Sequence, residues 1–268
     1  MATDTPLTFY NEPLPGVDAS GLTGKLIVIE GPDGVGRSTQ ITLLRTWLEH
    51  SGHAVMDTGM ARSALVGKGI KRAKQGNTLG SVTMSLFYAT DFADRLENEI
   101  LPALRAGFVV LTDRYVFSSI ARASARGADP AWIRQVLGFA LRPHAVYYLR
   151  AGVQDLLPRV VYGRGGFDYW ESGMDVMLGK DLYESFTRYQ ARLIRSLDSM
   201  ATRYGFEIID ASRSPEQVFQ NLKRRIAKLL RVKKKARPPA PRRRIAARRR
   251  PATKEAAPQR APRLAAHG

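Results

Sequence analysis

The stretch Gly31-Pro32-Asp33-Gly34-Val35-Gly36-Arg37-Ser38 holds the residues best suited to chemistry in this chain. Its spacing is that of a phosphate loop, G-x-x-x-x-G-[K]-[ST], with arginine at the position usually held by lysine. Glycines so placed let backbone N–H groups close around a phosphate, and a helix beginning directly behind them adds its positive N-terminal end. In that scheme the Arg37 cation reaches the outer phosphates and the Ser38 hydroxyl can ligate Mg²⁺. Gly31, Pro32, Asp33, Gly34, Val35, Gly36, Arg37, Ser38 and Thr39 are therefore the candidate nucleotide-binding residues. The plainer reading, three glycines in a tight turn, is disfavoured by the apolar run before the loop and the helix-compatible stretch after it. A planar guanidinium keeps the charge but is bulkier than an ammonium, so nucleotide binding is read more directly than fast phosphoryl transfer.

Two further clusters accompany the loop. Thr112-Asp113-Arg114-Tyr115 pairs an acid with a base, where Asp113 can hold a metal through water and Arg114 can grip a second phosphate. Alone, the tetrapeptide would also suit an ordinary ion pair at a strand end. Arg159, Arg164, Asp168 and Glu171 surround Gly163, Gly165 and Gly166, the composition of a cation-bearing lid that closes on phosphates and excludes water, or equally of a solvated loop.

Chemistry at these sites requires elements that hold them. Leu26-Ile27-Val28-Ile29 is a short apolar run suited to a strand buried on both faces, and similar runs recur at 54–56, 108–111, 145–149 and 206–209. Helical stretches fall between them, roughly at 38–50, 81–105, 118–126, 131–141, 153–161, 177–204 and 215–230. Strand and helix in alternation predict an α/β fold, a five-stranded parallel sheet of the P-loop NTPase type with helices on both faces. Asp113 and Arg114 then sit at the C-terminal edge of the sheet, where ligands of such folds bind.

With 268 residues, 44% of them hydrophobic, the chain can bury a full core. It has no cysteine, which excludes disulfides, thiolate metal sites and cysteine nucleophiles, and His50, His53, His144 and His267 show no metal-ligand spacing. Residues 1–19 lack a basic start and an apolar stretch, and no window approaches a membrane span, so a cytoplasmic protein without membrane contact is expected. Of the formal net charge of +18, residues 231–268 supply +13, from fourteen Lys/Arg against Glu255 alone. Three regions follow: an N-terminal arm over 1–24, the α/β domain over 25–230, and a Lys/Arg/Pro/Ala-rich tail over 231–268 too poor in large apolar side chains to fold.

The residues of the central region resemble the thymidylate kinase family of nucleoside monophosphate kinases over nearly all of 25–230. Ile27 through Gln40 is similar to that family's opening strand and loop, and Asp113-Arg114-Tyr115 with Ser118 is similar to its D-R-Y-x-x-S segment. Asp168-Tyr169-Trp170-Glu171 resembles the D-x-x-E behind the lid arginine, and Ile209-Asp210-Ala211-Ser212 the closing strand with its adenine-side loop. The resemblance implies Mg²⁺-dependent transfer from ATP to a nucleoside monophosphate by a homodimer. It would place Asp33 near the acceptor sugar, Arg95 and Arg114 near the acceptor phosphate, and Arg159 and Arg164 near the group in flight, with Ser38 and Asp113 around the metal.

The chain departs from that pattern where the base is read. Thr58-Gly59-Met60-Ala61-Arg62-Ser63 stands where the family has T-R-E-P-G-G, so that its acid and base are missing. Counting back from Pro102, the position of the thymine-binding arginine falls on Phe92, with Tyr88 at the stacking aromatic and Asp91 just before Phe92. Arg122-Ala123 replaces Y-Q. A hydrogen-bonding pocket discriminates strongly, and its loss removes that discrimination. Two readings result: a kinase acting on dTMP or a related nucleotide, and a non-catalytic nucleotide-binding regulator that holds nucleic acid or another polyanion through its basic tail. Runs such as 233–235, 242–244 and 248–250 supply the electrostatic footprint for the latter, without interleaved aromatics to stack bases.

Overall fold

Four consecutive apolar residues cannot alternate between core and solvent, so the first strand has to lie inside a sheet that is covered on both faces. The computed structural model, which describes residues 7–76 and 79–230 apart from the side chain of Arg164, places it there. Strands β1 (Lys25–Glu30), β2 (Val55–Gly59), β3 (Val109–Asp113), β4 (Ala145–Arg150) and β5 (Glu207–Asp210) form one parallel sheet in the order β2-β3-β1-β4-β5. Leu26 and Val28 pack on one side among residues of helices α3 (Ser81–Arg95), α5 (Val116–Ala125) and α8 (Leu182–Tyr204). Ile27 and Ile29 pack on the other among α1 (Arg37–His50), α7 (Val153–Arg164) and α9 (Pro215–Leu229). Each such side chain, removed wholly from water, contributes about 1.5–3 kcal/mol before chain entropy is counted.

The remaining helices are α2 (Gly67–Gly76), α4 (Leu101–Arg105) and α6 (Pro130–Val136). Because β1 has β3 on one side and β4 on the other, the chain direction of the winding changes there, and a crevice opens at its C-terminal end. The register brings Ile29 level with Asp113, and the Arg114 N–H donates to the Ile29 carbonyl at 3.0 Å. The phosphate loop and the Asp113-Arg114 pair are thus side by side at one sheet edge.

Four of the strands fall within two residues of the expected runs, β2 runs to Gly59, three residues beyond the run at 54–56, and the larger differences lie in the helices. The long helix expected over 81–105 contains a π-helical turn at Leu96–Ile100. Pro102 follows after Leu101, and its ring clashes with the carbonyl four residues back, which straight α-helix cannot absorb. The helix at 131–141 ends at Val136, because 138–142 instead pairs with the N-terminal arm: Tyr10 and Asn11 donate to the carbonyls of Ala140 and Gly138 at 2.9 and 2.7 Å. Helix α8 begins at Leu182 rather than Met177, where Asp181 caps it by accepting from the Glu184 N–H at 2.8 Å. Helix α2 was absent from the pattern, having only Ile70 and Ala73 to bury. Among the described residues no helix is long and apolar enough to cross a membrane. The expectation of a disordered tail over 231–268 lies outside the described residues.

Candidate functional site

Two loop glycines show why the backbone can wrap as it does. Gly34 has a φ of +80°, and a Cβ there would lie 2.7 Å from Val160 Cγ2; one at Gly31 would lie 2.7 Å from the Leu149 carbonyl oxygen. The loop is therefore pressed against β4 and α7 and ends at Gly36, behind which α1 begins with no side chain capping its first turn. Those backbone N–H groups are left for an anion.

Arg37 is buried at the base of this loop. Its guanidinium donates to the carbonyls of Gly31 (2.8 Å) and Pro32 and, through Nε, to Asp113 Oδ1 at 2.8 Å. Asp113 also lies 3.5 Å from the Ser38 hydroxyl and 3.7 Å from Arg62. Burial would push the Asp113 carboxyl up, but Arg37 and Arg114 hold it below its ordinary value. Ser38 Oγ and Asp113 are adjacent hard oxygen donors at the mouth of the loop, a set that fits Mg²⁺ completed by phosphate oxygens and water. Among the described residues no group of three or more acidic or histidine side chains is placed to hold a metal without such a partner. The segment after β2 does lack the family's acid, yet it still delivers a cation, Arg62, to the Asp113 carboxylate.

Asp33 is the hub of the site. Buried to 1% exposure, it accepts from Arg114, from Arg122 Nη2 at 2.8 Å to each oxygen, and from Gln190 Nε2 at 3.0 Å. Burial alone would raise its pKa, but Arg114, Arg122 and Arg37 hold it far below the usual carboxylate range. Arg114 adopts a left-handed backbone, φ +69°, and its Nη1 bridges the Gly31 carbonyl (3.1 Å) and the Ser118 hydroxyl (3.0 Å). Such a conformation in a non-glycine residue persists only where its surroundings enforce it. Burial and the neighbouring Arg37 push the Arg114 pKa down to about 10.

Beneath this cluster Glu30, fully buried, ties the loop to α5. Its carboxyl accepts from the N–H groups of Tyr115 (2.8 Å) and Ser118 (3.2 Å) and from the Ser118 hydroxyl (2.7 Å). Burial pushes its pKa up against the pull of Arg114 and these donors.

On the far side of Asp33 a cavity opens between α2, α3 and α5, with Lys74, Tyr88, Ser119, Arg122, Arg126 and Trp170 in its walls. Tyr88, the expected base contact, is among them. Trp170 closes one end: its indole N–H donates to the Lys74 carbonyl at 2.6 Å, and Arg126 donates to the Trp170 carbonyl at 2.9 Å with its guanidinium 5.5 Å from the ring centroid. Arg126 also pairs with Asp175 at 2.7 Å and donates to Tyr189. Asp168 accepts from the N–H groups of Trp170 and Glu171, both at 2.9 Å, and so shapes the turn leading into this plug. The lid expectation for Asp168 and Glu171 therefore meets a segment anchored on both sides of the cavity.

The expected cations separate in space. Arg95 donates to Asp91 at 3.0 Å under the segment after β2, where Asp91 also accepts from the Ala61 and Ser63 N–H groups; no contact joins it to Asp33 or Arg114. Phe92 packs edge-on to Tyr115 and stacks on Phe139, away from the cavity walls. Arg159 reaches the carbonyls of Ala211 (2.8 Å) and Val35 (3.4 Å), linking α7 to the loops behind β1 and β5. The side chain of Arg164 lies outside the described residues. Sequence reasoning missed Glu30, Arg122 and Gln190 as site residues. Glu30 and Gln190 carried a signal of one kind: an acid ending an otherwise apolar strand, and a lone amide within the buried stripe of Phe186, Tyr189, Leu193 and Leu197.

Comparisons with known proteins name one family. The family model described as thymidylate kinase matches residues 29–222. The chain is 37% identical over 198 residues to the probable thymidylate kinase 2 of Saccharolobus solfataricus, covering 74% of this chain and 92% of that protein. It is 34% identical over 221 residues to the thymidylate kinase of Bifidobacterium longum subsp. infantis, covering 78% and 89% respectively, and 38% identical over 145 residues to the probable thymidylate kinase of Pyrococcus horikoshii, covering 52% and 71%.

Proposed function

The chain belongs to the thymidylate kinase family of phosphotransferases, and from that premise we propose that it transfers the γ-phosphoryl group of ATP to a nucleoside monophosphate, dTMP or a close relative. The observation that carries the proposal is the position of Arg114. One guanidinium touches both the carbonyl of Gly31 and the carboxylate of Asp33 in the phosphate loop, and the same carboxylate holds Arg122, which lines the cavity beside Tyr88. Donor loop and acceptor cavity are thus joined through the Asp33 carboxylate and the two arginines it holds.

In this reading the N–H groups of the loop and of the first turn of α1 hold the donor phosphates, and Arg37 stabilises charge developing on the transferred group. Ser38 and Asp113 would hold Mg²⁺, which supplies further charge neutralisation when bound. Arg114 is assigned to the acceptor phosphate together with Arg95, which must leave Asp91 to reach it, with Arg159 and Arg164 closing on the group in flight and Asp33 orienting the acceptor side through Arg114 and Arg122. The acceptor is already an ionised phosphate and requires no general base. A homodimer working in the cytoplasm, and a tail that holds nucleic acid or another polyanion electrostatically, belong to the same proposal.

One observation favours the regulator reading: Arg37 is already engaged by two loop carbonyls and by Asp113, so it must release Asp113 to meet a phosphate. Transfer from ATP with Mg²⁺ to a panel of monophosphates, using the full chain, separates the two. Turnover of at least one acceptor is expected. ATP binding without turnover of any acceptor selects the regulator.

A further inference from the structure

The walls of the cavity beside Asp33 contain a fully buried donor without a hydrogen-bond partner. Arg122 is buried, and both Asp33 oxygens fix its Nη2, yet its Nε–H has no hydrogen-bond partner. A buried donor left in this state is unfavourable unless something enters to accept from it.

The other groups around the cavity determine what that something is. No carboxylate or amide side chain lines it. The nearby backbone acceptors are already taken: the Lys74 carbonyl by Trp170, the Trp170 carbonyl by Arg126, and the Ser81 carbonyl by the Ser85 hydroxyl at 2.8 Å. What the walls offer is donation, from Arg122 Nε and from Lys74, with hydroxyls on Ser119 and Tyr88 that can turn either way. A ring edge carrying a carbonyl meets these donors. One carrying an exocyclic amino group sets donor against donor.

We propose that Arg122 is the base-reading residue of this protein, held in orientation by Asp33, and that it selects a nucleoside monophosphate whose base presents a carbonyl oxygen at pyrimidine C4 or purine C6 to its Nε–H. The inference rests on the kinase reading above and adds to it the residue and the substrate class. Helix α3 contributes no such cation, since Phe92 lies in the core and Arg95 is paired with Asp91. Because the same Arg122 is bonded to a phosphate-loop carboxylate, occupancy by the right base also steadies the loop.

The test uses the full chain and measures both calorimetric binding and turnover with dTMP, dUMP, dGMP, dCMP and dAMP. The wild type is expected to prefer bases with a carbonyl at pyrimidine C4 or purine C6 by about 10²-fold over dCMP and dAMP, which carry an amino group there, and the first three arms show whether thymine, uracil or guanine is taken. Arg122→Lys keeps the charge that pairs with Asp33 but has no Nε–H. Its preference should collapse to within about threefold. Arg122→Gln gives a second variant for the same ratio. A wild type that prefers dCMP or dAMP overturns the proposal without any variant, as does an Arg122→Lys chain that keeps the full ratio. Binding with the expected preference but no turnover would instead overturn the kinase reading and leave the role of Arg122 standing.

Discussion

The phosphate loop and the cavity beside Tyr88 meet at one side chain, Asp33, and are built in opposite ways. The loop is one contiguous stretch whose glycines, cation and hydroxyl act on their neighbours in sequence. Arg37 reaches back five and six residues to Pro32 and Gly31. The cavity draws Lys74 from α2, Tyr88 from α3, Arg122 from α5, Arg126 from its C-terminal cap and Trp170 from the segment before α8, so no single stretch announces it. A local device carries its geometry in its own spacing. An assembled one borrows its geometry from packing, and is correspondingly sensitive to residues that touch no ligand.

The largest expected effect comes from removing the joint between them. Asp33→Ala leaves Arg114 and Arg122 buried without their shared carboxylate, and breaking such a cluster costs about 3–5 kcal/mol. Urea unfolding at neutral pH measures it, and a loss under 1 kcal/mol would mean that the two regions do not depend on this residue. The pH dependence follows from the same charge. The folded Asp33 pKa lies below its ordinary 3.8, so its contribution is complete above that value and is lost as pH falls through it and below. Wild-type stability should therefore decline below about pH 4, and Asp33→Asn should flatten that decline while lowering the plateau at neutral pH.

Next in size is a change confined to the local device. Arg37→Ala should reduce turnover by about 10²–10³-fold, the effect of deleting one preorganised donor to developing charge. Affinity for the monophosphate should hardly move, since the Asp33 cluster remains intact. Steady-state kinetics with both substrates varied reads the split. Full turnover in this variant would show that the loop works without its cation and that Arg37 serves only to restrain Asp113.

The legibility of the molecule divides along the same line. Apolar runs with glycine behind them located every strand of the sheet, because a strand buried on both faces leaves no other use for four apolar residues in succession. Strand order then placed Asp113 and Arg114 beside the loop. Helix α2 escaped because ten residues with two buried side chains have almost no periodic signal. Arg122 could be seen as a departure from a resembling family, but which way its guanidinium faced depended on Gln190 and Asp33, 68 and 89 residues away in sequence respectively. Arg95 shows the converse: a cation at a suggestive position is claimed by Asp91 one turn earlier, and the pairing is visible only once the segment after β2 is seen to need that acid as well.

The smallest predicted effect tests how much the assembled cavity owes to its plug. Trp170→Phe keeps an aromatic ring for Arg126 to face but removes the indole N–H that donates to the Lys74 carbonyl. One neutral hydrogen bond contributes about 1 kcal/mol, so the fold should survive with a small drop in unfolding midpoint. The consequence for binding is more specific than that loss. The Lys74 carbonyl, once freed, adds a backbone acceptor to the hydroxyls already in the walls, and an amino-bearing base becomes easier to hold. Monophosphate KM should rise about fivefold for the preferred base, with kcat and the KM for ATP unchanged, because the loop is untouched. If ATP affinity falls in step, the plug is part of the loop's support as well, and the division between local and assembled regions has been drawn in the wrong place.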